Sequence, residues 1–323
     1  MDKFFPSDLY RIFINFINSM QKKINKITYK YRKLFSKKLL RFYPAHKFFV
    51  KLHRIYCSLT GPLHILPDFY IIGTQKGGTS SLYDYLTEHP SIQPCYSKEP
   101  SYFDRYYKRG LNWYKINFPF KIHKFFVTKI QKKTFLTGEA SVRYLDHPFA
   151  PERIKKITPN AKFIVLLRNP VSRSFSQYSR VKGNNREQLS FEDAFHNESK
   201  RTRSDFEKIF SNPLHYADSY FTYSYFERGI YVDKLKNWMK VFPKDQFLII
   251  QSENFFKNPS DTLNDVLDFL GLNHYLLNEY KIRGKVNKNK NFDSDFQKQL
   301  YDYFKPHNQR LYDFLGKKFD WDE

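Results

Sequence analysis

The stretch Asp68-Phe-Tyr-Ile-Ile-Gly-Thr-Gln-Lys-Gly-Gly-Thr-Ser-Ser-Leu-Tyr-Asp-Tyr-Leu86 decides the fold. It begins with an apolar run, residues 69–72, that has the length and β-branched content of a buried strand. Gly73 ends this run, and six small or polar residues follow, with Lys76 among them. From Ser80 onward the apolar residues return at helical spacing. A strand, a glycine-rich turn and a helix start, in this order, predict a loop that binds an anion.

The residues of this loop have the chemistry of a phosphate or sulfate site. The first turn of a helix presents unpaired N–H groups and a partial positive charge, and glycines let the backbone approach a ligand closely. An ordinary glycine turn is the alternative, but a lysine, two adjacent glycines and three consecutive hydroxyls favour the anion site. The loop is not a Walker A motif, because Thr79 stands where that motif has its lysine and Lys76 lies inside the loop.

The composition is that of a globular, strongly basic protein. The chain has 323 residues, a mass of 39.2 kDa and a formal net charge of +23. Such a charge predicts polyanionic partners, which include phosphates, sulfated or acidic glycans, anionic membranes and nucleic acid. The two cysteines, Cys57 and Cys95, do not make a disulfide framework, so we expect a reducing compartment.

The sequence predicts two parts, a basic N-terminal extension at residues 1–66 and a main domain at residues 67–323. Residues 1–60 hold 14 Lys and Arg against 2 Asp. Apolar residues between Leu9 and Met20 recur at helical spacing, but the segment is too short and polar to span a bilayer and lacks a signal-peptide core. Such a helix either lies on an anionic membrane or packs on the domain with a solvated basic face.

A second buried strand ends on an arginine. The stretch Lys162-Phe-Ile-Val-Leu-Leu-Arg-Asn-Pro170 is apolar up to Arg168, and Pro170 predicts a turn into a helix over residues 171–178. Arg168 at the strand end and Ser176 in the second helical turn can therefore reach one anion. Open α/β sheets bind ligands at the carboxyl ends of their strands, which favours a ligand role for Arg168 over a surface ion pair.

The remaining segments predict the fold class. Residues 246–250 form a third buried strand, a helix is expected over residues 229–239, and Pro306 is expected to separate the last two helices. Near-continuously apolar strands that alternate with helices predict an α/β, P-loop-like three-layer fold. Its central sheet is mainly parallel and has helices on both faces.

In this order the segments resemble the sulfotransferases that use 3′-phosphoadenosine 5′-phosphosulfate (PAPS), and within them the carbohydrate, heparan-sulfate-type branch. Residues 74–81 look like the family's 5′-phosphosulfate loop. Residues 167–176, with an arginine and a serine eight apart, look like its 3′-phosphate motif. Lys98-Glu-Pro-Ser-Tyr-Phe-Asp104 and Asn112-Trp-Tyr114 resemble the segment that carries the general base. The similarity covers residues 67–323.

The resemblance implies a role for each matching residue. Lys76 would neutralise charge on the bridging oxygen and the 5′-phosphate, and no metal would be needed. Glu99 would take the proton of the acceptor hydroxyl, whereas without the resemblance it reads as a surface ion pair with Lys98. The expected donor site comprises Thr74, Gln75, Lys76, Gly77, Gly78, Thr79, Ser80, Arg168, Ser176, Lys285, Lys288 and Lys290.

Two positions depart from the family pattern on the acceptor side. Ala140 follows Glu139 where heparan-type enzymes often have a lysine, and Ser101 stands where some members have a histidine. The expected acceptor is therefore given only as a class, the hydroxyl or amine of a carbohydrate or glycolipid.

Two other functions share part of the pattern. A P-loop kinase or NTPase has the same strand–loop–helix order, but the chain lacks its lysine–threonine pair and its acidic metal ligand. A non-enzymatic basic module that binds a membrane or nucleic acid would explain the charge but not the glycine loop, and nucleic acid is the less expected partner. In the absence of a predicted spanning helix, we expect a cytoplasmic enzyme with peripheral contact to an anionic membrane through residues 1–60.

Overall fold

The structure of the protein is a computed structural model that describes residue 19, residues 44–282 and residues 294–321. Apart from residue 19, the apolar segment expected between Leu9 and Met20 lies outside the described residues. The same holds for the expected donor-site residues Lys285, Lys288 and Lys290.

A parallel sheet forms the centre of the described chain. Its strands are β1 (Phe69–Ile71), β2 (Ile92–Pro94), β3 (Leu136–Ala140), β4 (Lys162–Leu167) and β5 (Phe247–Gln251). They lie in the order β2-β3-β1-β4-β5, and each neighbouring pair is parallel. The predicted fold class is confirmed. The strands β2 and β3 were not identified in the sequence, because both are short and contain a proline or a glycine.

Helices surround this sheet. The first six are α1 (Pro44–Thr60), α2 (Thr79–Glu88), α3 (Leu111–Lys115), α4 (Lys121–Phe125), α5 (Ala150–Lys155) and α6 (Pro170–Gly183). The others are α7 (Phe191–Ser211), α8 (Asp218–Tyr223), α9 (Tyr231–Met239), α10 (Ser252–Lys257), α11 (Pro259–Leu270) and α12 (Ser294–Leu315).

The last helix differs from the prediction. Helix α12 continues through Pro306, so the expected division into two helices at this proline is wrong. A proline removes one backbone hydrogen bond and crowds the preceding turn. Buried side chains on both sides of the proline, among them Phe304 and Leu311, pack against the rest of the chain and hold the helix in one piece.

One face of the sheet is an aromatic ladder. Tyr70, Phe163 and Phe247 are register partners on β1, β4 and β5. The Tyr70 and Phe163 rings stack with centroids 5.6 Å apart, and the Phe163 and Phe247 rings with centroids 5.0 Å apart. Glu139 of β3 is the register partner of Tyr70, so its carboxyl lies on the same buried face.

The loop after β1 docks tightly on β4. The amide of Thr74 donates to the Leu166 carbonyl at 2.8 Å. A Cβ at Gly73 would lie well inside van der Waals contact with the Leu166 backbone. Gly73 is therefore required for the close approach of the two strand ends.

The C-terminal tail closes over the start of α6. Trp321 is fully buried, and its ring stacks on Phe319 with centroids 4.6 Å apart. Its indole N–H donates to Glu253 Oε2 at 3.2 Å, and its carbonyl accepts from Asn169 Nδ2 at 3.3 Å. These contacts fix Asn169, the residue that follows Arg168, against the C-terminal tail.

We predict that Gly73→Ala destabilises the protein by about 3 kcal/mol or more, because the methyl group would overlap the β4 backbone, which cannot move aside. Gly183→Ala is the matched control, since a Cβ there meets nothing within 4 Å. Its free energy of unfolding should change by about 0.5 kcal/mol or less. Urea denaturation of both variants measures the difference, and equal stability would contradict the docking described here.

Candidate functional site

The glycine-rich loop enters α2 through two left-handed residues. Lys76 has φ +72° and Gly78 has φ +99°. Gly78 is the N-cap of α2, and a Cβ there would meet the rings of Phe255 and Phe256 at 2.9 and 2.8 Å. The chain can therefore turn at this point only with a residue that lacks a side chain. Such a residue also contributes no side-chain cap to the first-turn amides of α2.

The two predicted anion-binding motifs meet in space. The Arg168 guanidinium donates from Nη1 to the Lys76 carbonyl oxygen at 3.0 Å. The Arg168 carbonyl in turn accepts from the Tyr231 hydroxyl at 2.7 Å. Asn169 caps α6, because its Oδ1 accepts from the amides of residues 171 and 172 at 3.0 and 3.1 Å. The carboxyl end of β4 is thus joined to the loop after β1.

The charges around Lys76 favour an anion. Burial first, and then the positive charges of Arg180 and Arg168, lower the pKa of the Lys76 ammonium. Arg180 follows Ser176 by one helical turn on α6 and is exposed. Arg180 was not among the site residues predicted from the sequence, although its position four residues after Ser176 on the same helix indicates that the two lie on one face. Cations gathered in this way repel one another, and a bound polyanion relieves that repulsion.

Ser176 presents a hydroxyl with unusual surroundings. Its side chain is only 2% exposed, and its Oγ has no hydrogen-bond partner within the described part of the chain. Ser174, two residues earlier on the same helix, donates its hydroxyl to the Val171 carbonyl at 2.8 Å. Because buried polar atoms normally have partners, the Ser176 hydroxyl is suited to receive a ligand oxygen.

Glu99 lies beside the same loop. Lys98 is 3.9 Å from the Glu99 carboxylate, so the ion pair that the sequence offered as an alternative is present. The Lys98 ammonium also donates to Ser80 Oγ at the start of α2. The Glu99 side chain is 47% exposed and therefore accessible to a substrate. Lys98, which connects the loop to the glutamate, was not among the site residues predicted from the sequence.

The backbone on either side of Glu99 is held against β3 and the turn that follows it. The amide of Ala140 donates to the Lys98 carbonyl at 3.2 Å. The amide of Ser101 donates to Ser141 Oγ at 3.3 Å. The amide of Tyr102 donates to the Tyr144 hydroxyl at 2.9 Å. Ser101 itself has φ +49°, a left-handed conformation that such contacts must maintain.

A single buried carboxyl orients these hydroxyls. Glu139 is fully buried and accepts from Ser141 Oγ at 2.5 Å, from the Tyr114 hydroxyl at 2.5 Å and from the Tyr144 hydroxyl at 3.1 Å. Burial raises the pKa of Glu139 to about 8, although the three hydroxyls oppose the shift. In the sequence, Glu139 was noted only because Ala140 follows it where the family often has a lysine. In the structure, Glu139 is the centre of the hydrogen bonds that support the segment around Glu99.

The similarity of this chain to known proteins agrees with this arrangement of residues. The family model described as "Sulfotransferase domain" matches residues 66–307. The chain belongs to the sulfotransferase family. The resemblance inferred from the sequence is confirmed, and the sulfotransferase domain sets aside the kinase, NTPase and non-enzymatic alternatives.

Several relatives of this sulfotransferase are similar over most of its length. The membrane-associated sulfotransferase kil1 of Dictyostelium discoideum is 29% identical, over 81% of this chain and 68% of its own length. The heparan sulfate glucosamine 3-O-sulfotransferase 3B1 of Mus musculus is 28% identical, over 80% of this chain and 65% of its own length. The chain therefore spans about two thirds of these relatives.

A solved structure agrees with the fold. The crystal structure of a sulfotransferase from Alicyclobacillus acidocaldarius covers 80% of this chain and all of its own, with 27% identity and a TM-score of 0.61.

Among the residues that the structure describes, no helix has the length and apolar character needed to cross a membrane.

The sulfotransferase loop is also supported from its buried side. Arg228 donates from Nη1 to Gln75 Oε1 at 2.8 Å and from Nε to Asp146 Oδ2 at 2.9 Å. Lys234 lies 3.4 Å from the other oxygen of Asp146. Burial disfavours the charged Asp146, but Arg228 and Lys234 outweigh that effect and lower the pKa of Asp146. Gln75, predicted as a donor-binding residue, is thus tied to a buried ion-pair network.

We predict that the stability of this sulfotransferase falls as pH rises from about 4.5 to about 8 because of Glu139. The folded protein keeps a proton on Glu139 that the unfolded chain releases in this window, so folding loses about 1 kcal/mol per pH unit from this group. Glu139→Gln, which mimics the protonated form, should show a flatter dependence. The measurement is urea denaturation across pH, with the exposed Glu152 replaced by Gln as the control. Identical pH slopes for the wild type and Glu139→Gln would contradict the assignment.

Proposed function

We propose that this protein transfers a sulfuryl group from PAPS to a hydroxyl or amine of a carbohydrate or glycolipid. The observation that carries the proposal is the hydrogen bond from Arg168 to the Lys76 carbonyl. It joins two anion-binding motifs at the carboxyl ends of adjacent parallel strands, in a chain of the sulfotransferase family.

The residues present fit a bisphosphorylated donor. Lys76, the amides of residues 77–80 and the hydroxyls of Thr79 and Ser80 would hold the 5′-phosphosulfate. Arg168 and Ser176 would hold the 3′-phosphate, and the Ser176 hydroxyl would thereby gain the partner it lacks among the described residues. Lys285, Lys288 and Lys290, which lie outside the described residues, would close over the nucleotide.

The transfer needs a base and a group that balances charge on the leaving side. PAPS, when bound, supplies a sulfuryl group on a phosphate leaving group. Glu99 takes the proton of the acceptor as the new S–O or S–N bond forms and the bond to the phosphate oxygen breaks. Lys76 balances the charge that develops on the departing phosphate, and Lys98 keeps Glu99 beside the loop through Ser80.

The acceptor class follows from similarity and charge. The relatives include heparan sulfate glucosamine 3-O-sulfotransferases of mouse and human, which supports a carbohydrate acceptor. Arg180, an exposed cation whose charge acts on Lys76, supports an acceptor that itself carries negative charge. We further propose that the enzyme works in a reducing, cytoplasmic setting at the surface of an anionic membrane. This location is supported by the content of only two cysteines, Cys57 and Cys95, by the excess positive charge of residues 1–60 and by the similarity to a membrane-associated sulfotransferase.

We predict that Glu99→Gln binds the product nucleotide 3′-phosphoadenosine 5′-phosphate (PAP) within about twofold of wild type and loses at least about 100-fold in turnover. Lys76→Ala should lose both PAP affinity and turnover, because Lys76 contacts the bound phosphate and also balances the charge that develops on it. Glu192→Gln on α7, an exposed glutamate elsewhere on the chain, is the control. The measurements are calorimetric titration with PAP and transfer from a labelled donor. Unchanged turnover in Glu99→Gln would remove the base assignment.

We predict that Ser176→Ala weakens PAP binding by about 10-fold or more, since a hydrogen bond to a charged phosphate is lost. Adenosine 5′-phosphosulfate, which lacks the 3′-phosphate, should bind wild type and variant equally. Ser174→Ala is the matched control, because its hydroxyl is already paired within the same helix. ATP with magnesium, titrated in parallel, should bind more weakly than PAP. Equal loss of affinity for both adenosine ligands in Ser176→Ala would assign Ser176 to a different part of the donor.

A further inference from the structure

Most exposed large apolar side chains of the described chain come from two segments, residues 52–63 and residues 122–130. Leu59 is 71% exposed, Leu63 54%, Ile122 52% and Phe125 54%. Leu52, Ile55 and Leu59 recur at three and four residues along α1, so they form one stripe of that helix. Ile130 extends the set beyond α4. Other exposed large apolar side chains, such as Phe210 and Leu276, lie elsewhere in the sequence.

The two segments that carry these residues pack together. His64, which follows Leu63, bonds through Nδ1 to the Phe118 carbonyl at 2.5 Å and lies over the Phe120 ring with centroids 3.9 Å apart. Leu63, Phe120, Ile122 and Phe125 line one shallow apolar concavity. The turn that follows α1 and helix α4 therefore form one surface. Together with the adjoining stripe of α1, we call it the basic–apolar face: residues 51–63 together with residues 105–133.

The charge of this surface is mainly positive, and the Asp68 carboxylate at its edge pairs with Lys124 at 2.8 Å. Residues 44–67 contain three Lys and Arg, residues 105–138 contain nine, and neither stretch contains an aspartate or a glutamate. Many of these cations are exposed, namely Lys51, Arg54, Lys108, Arg109, Lys121, Lys129, Lys132 and Lys133. A polyanionic glycan would need the cations but not the exposed leucines, isoleucines and phenylalanine. An anionic bilayer takes up both, since apolar side chains enter the headgroup boundary while cations contact phosphates.

We propose that the basic–apolar face is the surface that docks on an anionic lipid bilayer. The stripe of α1, with Leu63, Ile122 and Phe125, inserts at the headgroup level, and the surrounding lysines and arginines contact lipid phosphates. This inference rests on the proposed membrane location and assigns it to a surface that includes α4 as well as the N-terminal extension.

The face lies next to the segment that carries the base. The Tyr96 amide donates to the carbonyl of Asn117, a residue of this face, at 2.7 Å. Tyr96 precedes Glu99 by three residues. Docking through the basic–apolar face would bring Glu99 close to the bilayer surface, where the headgroup of a glycolipid acceptor lies.

The test is flotation of the full chain with phosphatidylcholine vesicles that contain or lack about 30% phosphatidylserine, a lipid that gives a negative surface potential. We expect wild type to bind the anionic vesicles, and Leu59→Ser/Ile122→Ser/Phe125→Ser to bind them at least about tenfold more weakly because three apolar contacts are lost. The matched control, Phe210→Ser/Leu214→Ser/Leu276→Ser, removes side chains of similar exposure and should bind as wild type.

Each vesicle experiment is paired with titration by PAP. Face variants that keep PAP affinity but lose vesicle binding support the docking surface independently of the transfer reaction. The proposal is overturned if wild type does not bind the vesicles, or if face and control variants bind alike. It is also overturned if the face variant binds vesicles normally but loses thermal stability or changes its sedimentation. The face would then be covered by residues 1–43 or by a second copy of the chain.

Discussion

The hydrogen bond between the Arg168 guanidinium and the Lys76 carbonyl is the interaction on which the site depends. It forms because the loop after β1 approaches the end of β4 closely, which Gly73 alone permits by lacking a side chain. This contact holds Lys76 and Arg168 close together, and burial, followed by the charges of Arg180 and Arg168, lowers the pKa of Lys76. The cations of this site repel one another when no anion is bound. Binding of a polyanion removes that repulsion, and the free energy released adds to the affinity for the donor.

The support for Glu99 is of a different kind, because it consists mainly of backbone hydrogen bonds rather than charges. The amides of Ser101 and Tyr102 are held by hydroxyls that Glu139 orients from inside the core. Lys98 then connects this rigid segment to the donor loop through Ser80. The glutamate is exposed to substrate while the chain around it is fixed, which is what an efficient base requires.

The excess positive charge is distributed between two surfaces with distinct chemistry. At the loop, cations surround backbone amides and hydroxyls, and apolar side chains are buried beneath them. On the basic–apolar face, cations alternate with exposed leucine, isoleucine and phenylalanine side chains, and carboxylates are absent from both of its segments. The first combination suits a small, highly charged nucleotide, and the second suits an extended interface between water and lipid.

The sequence by itself determined the strand–loop–helix at Gly73, the arginine at the end of β4 and the parallel α/β class, because each depends on local periodicity and on residues adjacent in the chain. It did not determine the strands β2 and β3 or the continuity of α12 through Pro306, where packing overrides local preference. Only the tertiary structure decided that the charge of Arg180 acts on Lys76, that Lys98 reaches Ser80 and that Glu139 supports the Glu99 segment. Those contacts join residues far apart in the chain, and their formation depends on how the strands are ordered in the sheet, which no local pattern encodes.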